Sequence, residues 1–103
     1  MITKFKLFEN NEDRPIVGYY ILCDISPYTT DEEFIIFMNN NIGKIQKTND
    51  DSYLIKYYNI PKKLNDWYFG IGDVRHFIEE DILLYASTKK ELEIKISANK
   101  FNL

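Results

Sequence analysis

Between Ile42 and Tyr58 the chain changes character at nearly every residue. IGKIQKT alternates apolar and polar side chains, SYLIKYY does so again, and Asn49-Asp50-Asp51 stands between them. Successive side chains of a strand point to opposite faces. Alternation with period two therefore fits a strand with one buried face, not the 3.6-residue period of a helix. Two such runs joined by a few polar residues predict an antiparallel hairpin with a short turn. A lone hairpin is marginal in water, so the rest of the chain has to supply more sheet.

Candidates for that sheet are present. VGYYILCDI, Val17 to Ile25, is almost continuously apolar and rich in strand formers, and Pro27 closes it. Val74 to Phe77 and ILLYAS, Ile82 to Ser87, give two more short strands. Ile2 to Phe8 alternates enough for an edge strand or an ordered arm, and the polar stretch Asn10 to Pro15 is a loop. Thr30 and Glu33 have the spacing of a capping box, with Phe34, Ile35, Phe37 and Met38 behind them, which predicts a helix from Asp31 to about Asn40. Thr88 and Glu91 repeat that spacing. Leu92, Ile94 and Ile96 also alternate, but the cap and the Glu91–Lys95 pair favour a C-terminal helix. Asn59 to Asn65, with Pro61, predicts a tight turn or one 3₁₀ turn, and Gly70 and Gly72 make Trp67-Tyr68-Phe69 part of a loop.

At 103 residues, one domain spanning 1–103 can bury roughly two-thirds of its unfolded surface around a single core. The expected class is α+β: four to five short strands in a small open SH3-like barrel, a short helix after the first core strand, and a C-terminal helix. Closure would protect the strand edges of so small a sheet.

VGYYILC, NNIGKI, YLIKYYNIP, DILLYASTKKELE and the terminal KFNL together resemble a group of small uncharacterised proteins encoded by bacteriophages. The resemblance covers nearly the whole chain and departs at Tyr19, where such proteins often carry Asp after the glycine. It implies a viral origin and an SH3-like core of strand, helix, hairpin and strand closed by a C-terminal helix. It implies no reaction.

The residues themselves exclude several kinds of chemistry. Cys23 is the sole cysteine and His76 the sole histidine, so no disulfide and no thiol-rich metal site can be assembled within the chain. Cys23 in an apolar strand reads as a small buried hydrophobe rather than a nucleophile activated by His76. Glu79-Glu80-Asp81 reads as a solvated turn rather than an acid–base pair. GIGD, Gly70 to Asp73, lacks the following helix that a phosphate-binding loop requires. No catalytic residue, cofactor or metal is expected. The start, MITKFKLFENNEDRP, is too charged for a signal peptide and no apolar run reaches transmembrane length, so the expected place is a reducing, intracellular one with no membrane partner.

Two surfaces remain as binding candidates. Lys44, Lys47, Lys56, Lys62 and Lys63, with tyrosines between them, are the candidate nucleic-acid face. By strict alternation Lys44 shares a face with Gln46 while Lys47 lies off it. A net charge of −3 rules out a protein held to phosphates by its bulk charge, and any such binding is expected to be weak. Trp67, Tyr68 and Phe69 with Arg75 are the candidate partner site, because a core this small cannot absorb every aromatic and Trp and Tyr are favoured at interface hot spots. The competing reading makes that segment an aromatic plug closing the barrel end. The resulting expectation is a non-enzymatic, phage-encoded protein-binding module in the cytoplasm of the bacterial host, directed at a host or phage protein such as a component of anti-phage defence. A nucleic-acid-binding module and a small virion component are the alternatives.

Overall fold

The hairpin forms where the alternation places it. In the computed structural model, which describes residues 14–101, β2 (Gly43–Thr48) and β3 (Ser52–Lys56) run antiparallel with Ile45 opposite Ile55 and Lys44 opposite Lys56. The Asn49 amide donates to the Ser52 carbonyl at 2.9 Å to close the turn. Between Ile45 and Lys47 the register shifts by one residue, so Gln46 is an inserted residue and Lys47 stands opposite Leu54. A bulge of this kind reverses the side on which every later residue of the strand falls. Lys47 therefore joins the face of Lys44, which corrects the assignment made by strict alternation.

β1 (Tyr20–Cys23) lies beside β2, β4 (Val74–Ile78) beside β3, and β5 (Ile82–Ala86) beside β1. The order is β4-β3-β2-β1-β5 and each neighbouring pair is antiparallel, giving an open five-stranded sheet in an α+β chain. β1 is shorter than the run Val17 to Ile25. Val17 and Gly18 turn at its start with Val17 exposed, and Ser26–Tyr28 forms a 3₁₀ turn at its end. The expected arm at Ile2–Phe8, most of the loop before Pro15 and the last two residues of KFNL lie outside the described residues.

Three α-helices complete the described chain. α1 (Glu32–Asn40) begins one residue later than expected, and its cap is Asp31 rather than Thr30. The Asp31 carboxylate accepts from the amides of Glu33 at 3.1 Å and Phe34 at 3.4 Å. A charged acceptor at a helix N-terminus also meets the positive end of the dipole, so it outcompetes the neighbouring hydroxyl. α2 (Lys62–Tyr68) replaces the predicted tight turn, and Trp67 and Tyr68 are helical rather than in a loop. Pro61 precedes its first residue and Leu64 is its one buried side chain. A helix of two turns with a single buried position has no periodicity to display. α3 (Lys89–Phe101) follows its expected cap, with the Thr88 hydroxyl accepting from the Glu91 amide at 3.1 Å. Lys95 donates to the Tyr85 carbonyl at 2.9 Å, which ties α3 to β5.

The sheet is covered unequally. Ile21, Cys23, Ile45, Tyr53, Ile55 and Phe77 point to one face and pack in one cluster with Phe34, Phe37 and Met38 of α1 and Leu64 of α2. On the other face α3 lies against β5 and β1. Leu22, Ala86 and Leu92, buried but outside the main cluster, mark that smaller contact. Among the described residues, no helix is long and apolar enough to cross a membrane.

Candidate functional site: an aromatic helix end and a lysine-bearing sheet face

The three consecutive aromatics have three different fates, set by the turn of α2. Tyr68 stacks on Phe34 with centroids 3.9 Å apart and planes within 8°, and its hydroxyl donates to the Asp31 carboxylate at 2.7 Å. Phe69, the residue that ends the helix, sets its ring edge-on against Phe34, Phe37 and Tyr57 at 5.7–6.3 Å. Trp67 stays outside, 65% exposed. Its ring is crossed by the Lys63 ammonium at 5.3 Å, and that ammonium also pairs with Glu33 at 3.0 Å. Arg75 does reach this segment. Its guanidinium donates to the Tyr68 carbonyl at 2.8 Å, satisfying a carbonyl at the C-terminal end of α2, and lies over the rings of Phe34 and Phe77.

These contacts set the electrostatics. The Tyr68 hydroxyl, together with the two α1 amides and Lys63, holds the Asp31 carboxyl below its ordinary range. The same bond pushes the Tyr68 phenol up, and Glu33 does the same for the Lys63 ammonium. Between α1 and α2 runs a shallow groove of about 380 Å³, with Ile36, Phe37, Pro61 and Leu64 along it and Glu33 and Lys63 at its rim. Lys63 and Trp67 are four residues apart on α2, so the indole flanks this groove.

The five lysines separate into two groups. Lys62 and Lys63 ride on α2, paired with Asp66 and Glu33 at 3.0 Å each. Lys44, Lys47 and Lys56 occupy the sheet face away from the main core, with Lys44 over the Tyr20 ring at 5.4 Å and Lys56 over Tyr58 at 5.7 Å.

The remaining candidates are placed apart or put to structural use. Cys23 is fully buried on the core face of β1, with its thiol beside the Tyr57 hydroxyl, whose own titration burial pushes well up. His76 is exposed on the opposite face of β4, with β2 and β3 in between, a separation of roughly 14 Å across the sheet. The two cannot form a dyad. The acidic run is not a wholly solvated turn. Asp81 is buried, accepting from the Tyr28 hydroxyl at 2.6 Å and the Ile78 amide at 3.0 Å, and Glu79 pairs with Arg14. Asp81 also raises the Tyr28 phenol above its usual value. Gly70 to Asp73 turns directly into β4, and the Asp73 carboxylate accepts from Asn65 at 2.7 Å. Among the described residues no three or more His, Cys, Asp or Glu side chains stand close enough to hold a metal ion.

Sequence reasoning missed the α1–α2 groove, because its second wall is the helix that showed no periodicity. Compared with family models, curated proteins and solved structures, the chain matches none.

Proposed function

We propose that the protein is a non-enzymatic binding module whose partner is another protein, held at the end of α2. The observation that carries this reading is the contrast within one segment. Tyr68 and Phe69 are absorbed by the core and Arg75 braces them, while Trp67 is held out at 65% exposure beside the α1–α2 groove. An exposed indole on a braced helix, next to an apolar slot with a charged rim, has the makeup of an interface anchor. Ile71, fully exposed in the following turn, extends the apolar surface. The phage origin, the host cytoplasm as its place of action and the SH3-like character of the barrel belong to the same proposal. They are supported by the sequence resemblance, and the SH3-like character also by an element order of strand, helix, hairpin, a second short helix, two strands and C-terminal helix. A host defence protein is the partner class this reading favours.

The test is a pull-down from nuclease-treated bacterial lysate with the native protein and Trp67→Ala, followed by affinity measurement on the retained protein. Truncating an anchor at an interface centre costs about 2 kcal/mol, or roughly thirtyfold in affinity. The expected result is that loss, with circular dichroism and melting temperature nearly unchanged. A variant that binds with native affinity, or that unfolds, removes Trp67 from the site.

A further inference from the structure

Among the described residues, the second face of the sheet is only half covered. α3 lies over β1 and β5, and among the described residues no helix lies over β2, β3 and β4 on that side. The outward positions there are Lys44 and Lys47 on β2, Ser52, Leu54 and Lys56 on β3, and Val74, His76 and Ile78 on β4. Lys44 stands directly opposite Lys56, and like charges in that position oppose folding. The bulge at Gln46 adds a third lysine to the same face. No aspartate or glutamate occupies an outward position of these three strands. Lys44, Lys47 and Lys56 form no salt bridge with any described residue, whereas Lys62 and Lys63 each have one. In a chain of net charge −3, three cations on one face with no salt-bridge partner among the described residues form a local concentration of positive charge.

We infer that this face binds single-stranded nucleic acid. The lysines would take the phosphates, and the Tyr20 and Tyr58 rings, now covered by Lys44 and Lys56, would take bases when those ammonium groups move onto the backbone. A single strand is favoured over a duplex because a broad sheet face does not enter a major groove, which admits a helix or a two-stranded ribbon. It is favoured over an anionic membrane because Leu54 and Val74 are half-buried, which leaves Ile78, 43% exposed, as the one exposed apolar side chain at these positions, too little to insert. The site lies across the sheet from the α1–α2 groove and is independent of the protein-binding proposal.

The experiment is fluorescence anisotropy with a labelled oligothymidylate over a salt series. With about three phosphates neutralised, log K should fall with log salt at a slope near −2, and affinity at physiological salt should be weak. Combined Lys44→Gln, Lys47→Gln and Lys56→Gln should abolish binding while the melting temperature holds or rises, since a repulsion is removed. Lys62→Gln with Lys63→Gln should leave binding intact. Tyr58→Ala should weaken it about tenfold without changing the slope. No binding at the lowest salt overturns the inference. So does equal binding by the triple variant, or binding to a duplex or to anionic phospholipid vesicles as tight as to the oligonucleotide.

Discussion

At Gly43 the backbone of β2 passes so close to β3 that a methyl group has no room. A Cβ there would lie 2.4 Å from Cγ2 of Ile55 and 2.8 Å from Cζ of Tyr57, both fully buried side chains. Neither can swing away, because Tyr57 is wedged among Phe37, Phe69 and Phe77. Gly43→Ala should therefore destabilise the protein by about 1–3 kcal/mol, the usual cost of forcing extra volume into a packed core. Urea denaturation measures it, and an unchanged midpoint would show that the strands can part at that point. The Gly72 turn offers the opposite case. Nothing lies within 4 Å of a Cβ there, and only its φ of +88° disfavours a side chain. From sequence alone neither glycine shows which case it is. The distinction depends on what the fold brings against each one.

Among the side-chain bonds between α1 and α2, the one from Tyr68 to Asp31 has consequences at both ends of the pH scale. Asp31 caps α1 and accepts from Tyr68 of α2. Its carboxyl is held below the ordinary value, so the stability it contributes is complete above about pH 4 and is lost as pH falls through the lowered folded value. Tyr68 is shifted the other way. Its contribution is complete below about pH 10 and is lost as pH rises through the raised folded value. Tyr68→Phe keeps the stack on Phe34 but removes the bond, so stability should drop at neutral pH and vary less with pH on both limbs. Chemical denaturation across pH reads this directly, and limbs as steep as the native protein's would assign them to other groups. The pair was not legible in the sequence. Asp31 and Tyr68 are 37 residues apart, and α2 showed one buried residue in seven. The hairpin was legible because its buried positions recur every second residue on both strands. Even there the Gln46 bulge escaped, since the alternation of one strand does not reveal a slip that exists only relative to its partner. The aromatic segment was half read: its composition marked surplus apolar area, but only the turn of α2 decides that Trp67 faces out while Tyr68 and Phe69 face in.

The whole molecule is a sheet with two hydrophobic layers of unequal size. The larger, between the sheet and α1 and α2, holds most of the buried side chains. The smaller, between the sheet and α3, rests on Leu22, Ala86 and Leu92. α3 is 13 residues long, yet Leu92 is the one fully buried side chain among those described in it, with Ile96 half-buried and Ile94 exposed. Isolated helices of that length are marginal in water, so α3 persists through this packing and the Lys95 bond to β5. An element held by so few contacts should open without the rest of the sheet, as cooperative units within a domain commonly do. Native-state hydrogen exchange should give α3 amides a lower opening free energy than those of β2 and β3. Leu92→Ala should cost about 2–4 kcal/mol, appearing first as lost protection in α3 with the β2–β3 ladder still protected. Uniform protection across α3 and β3, lost together in the variant, would mean that the smaller layer is part of the same cooperative core. In that case the open half of the second sheet face would owe its shape to α3 as well.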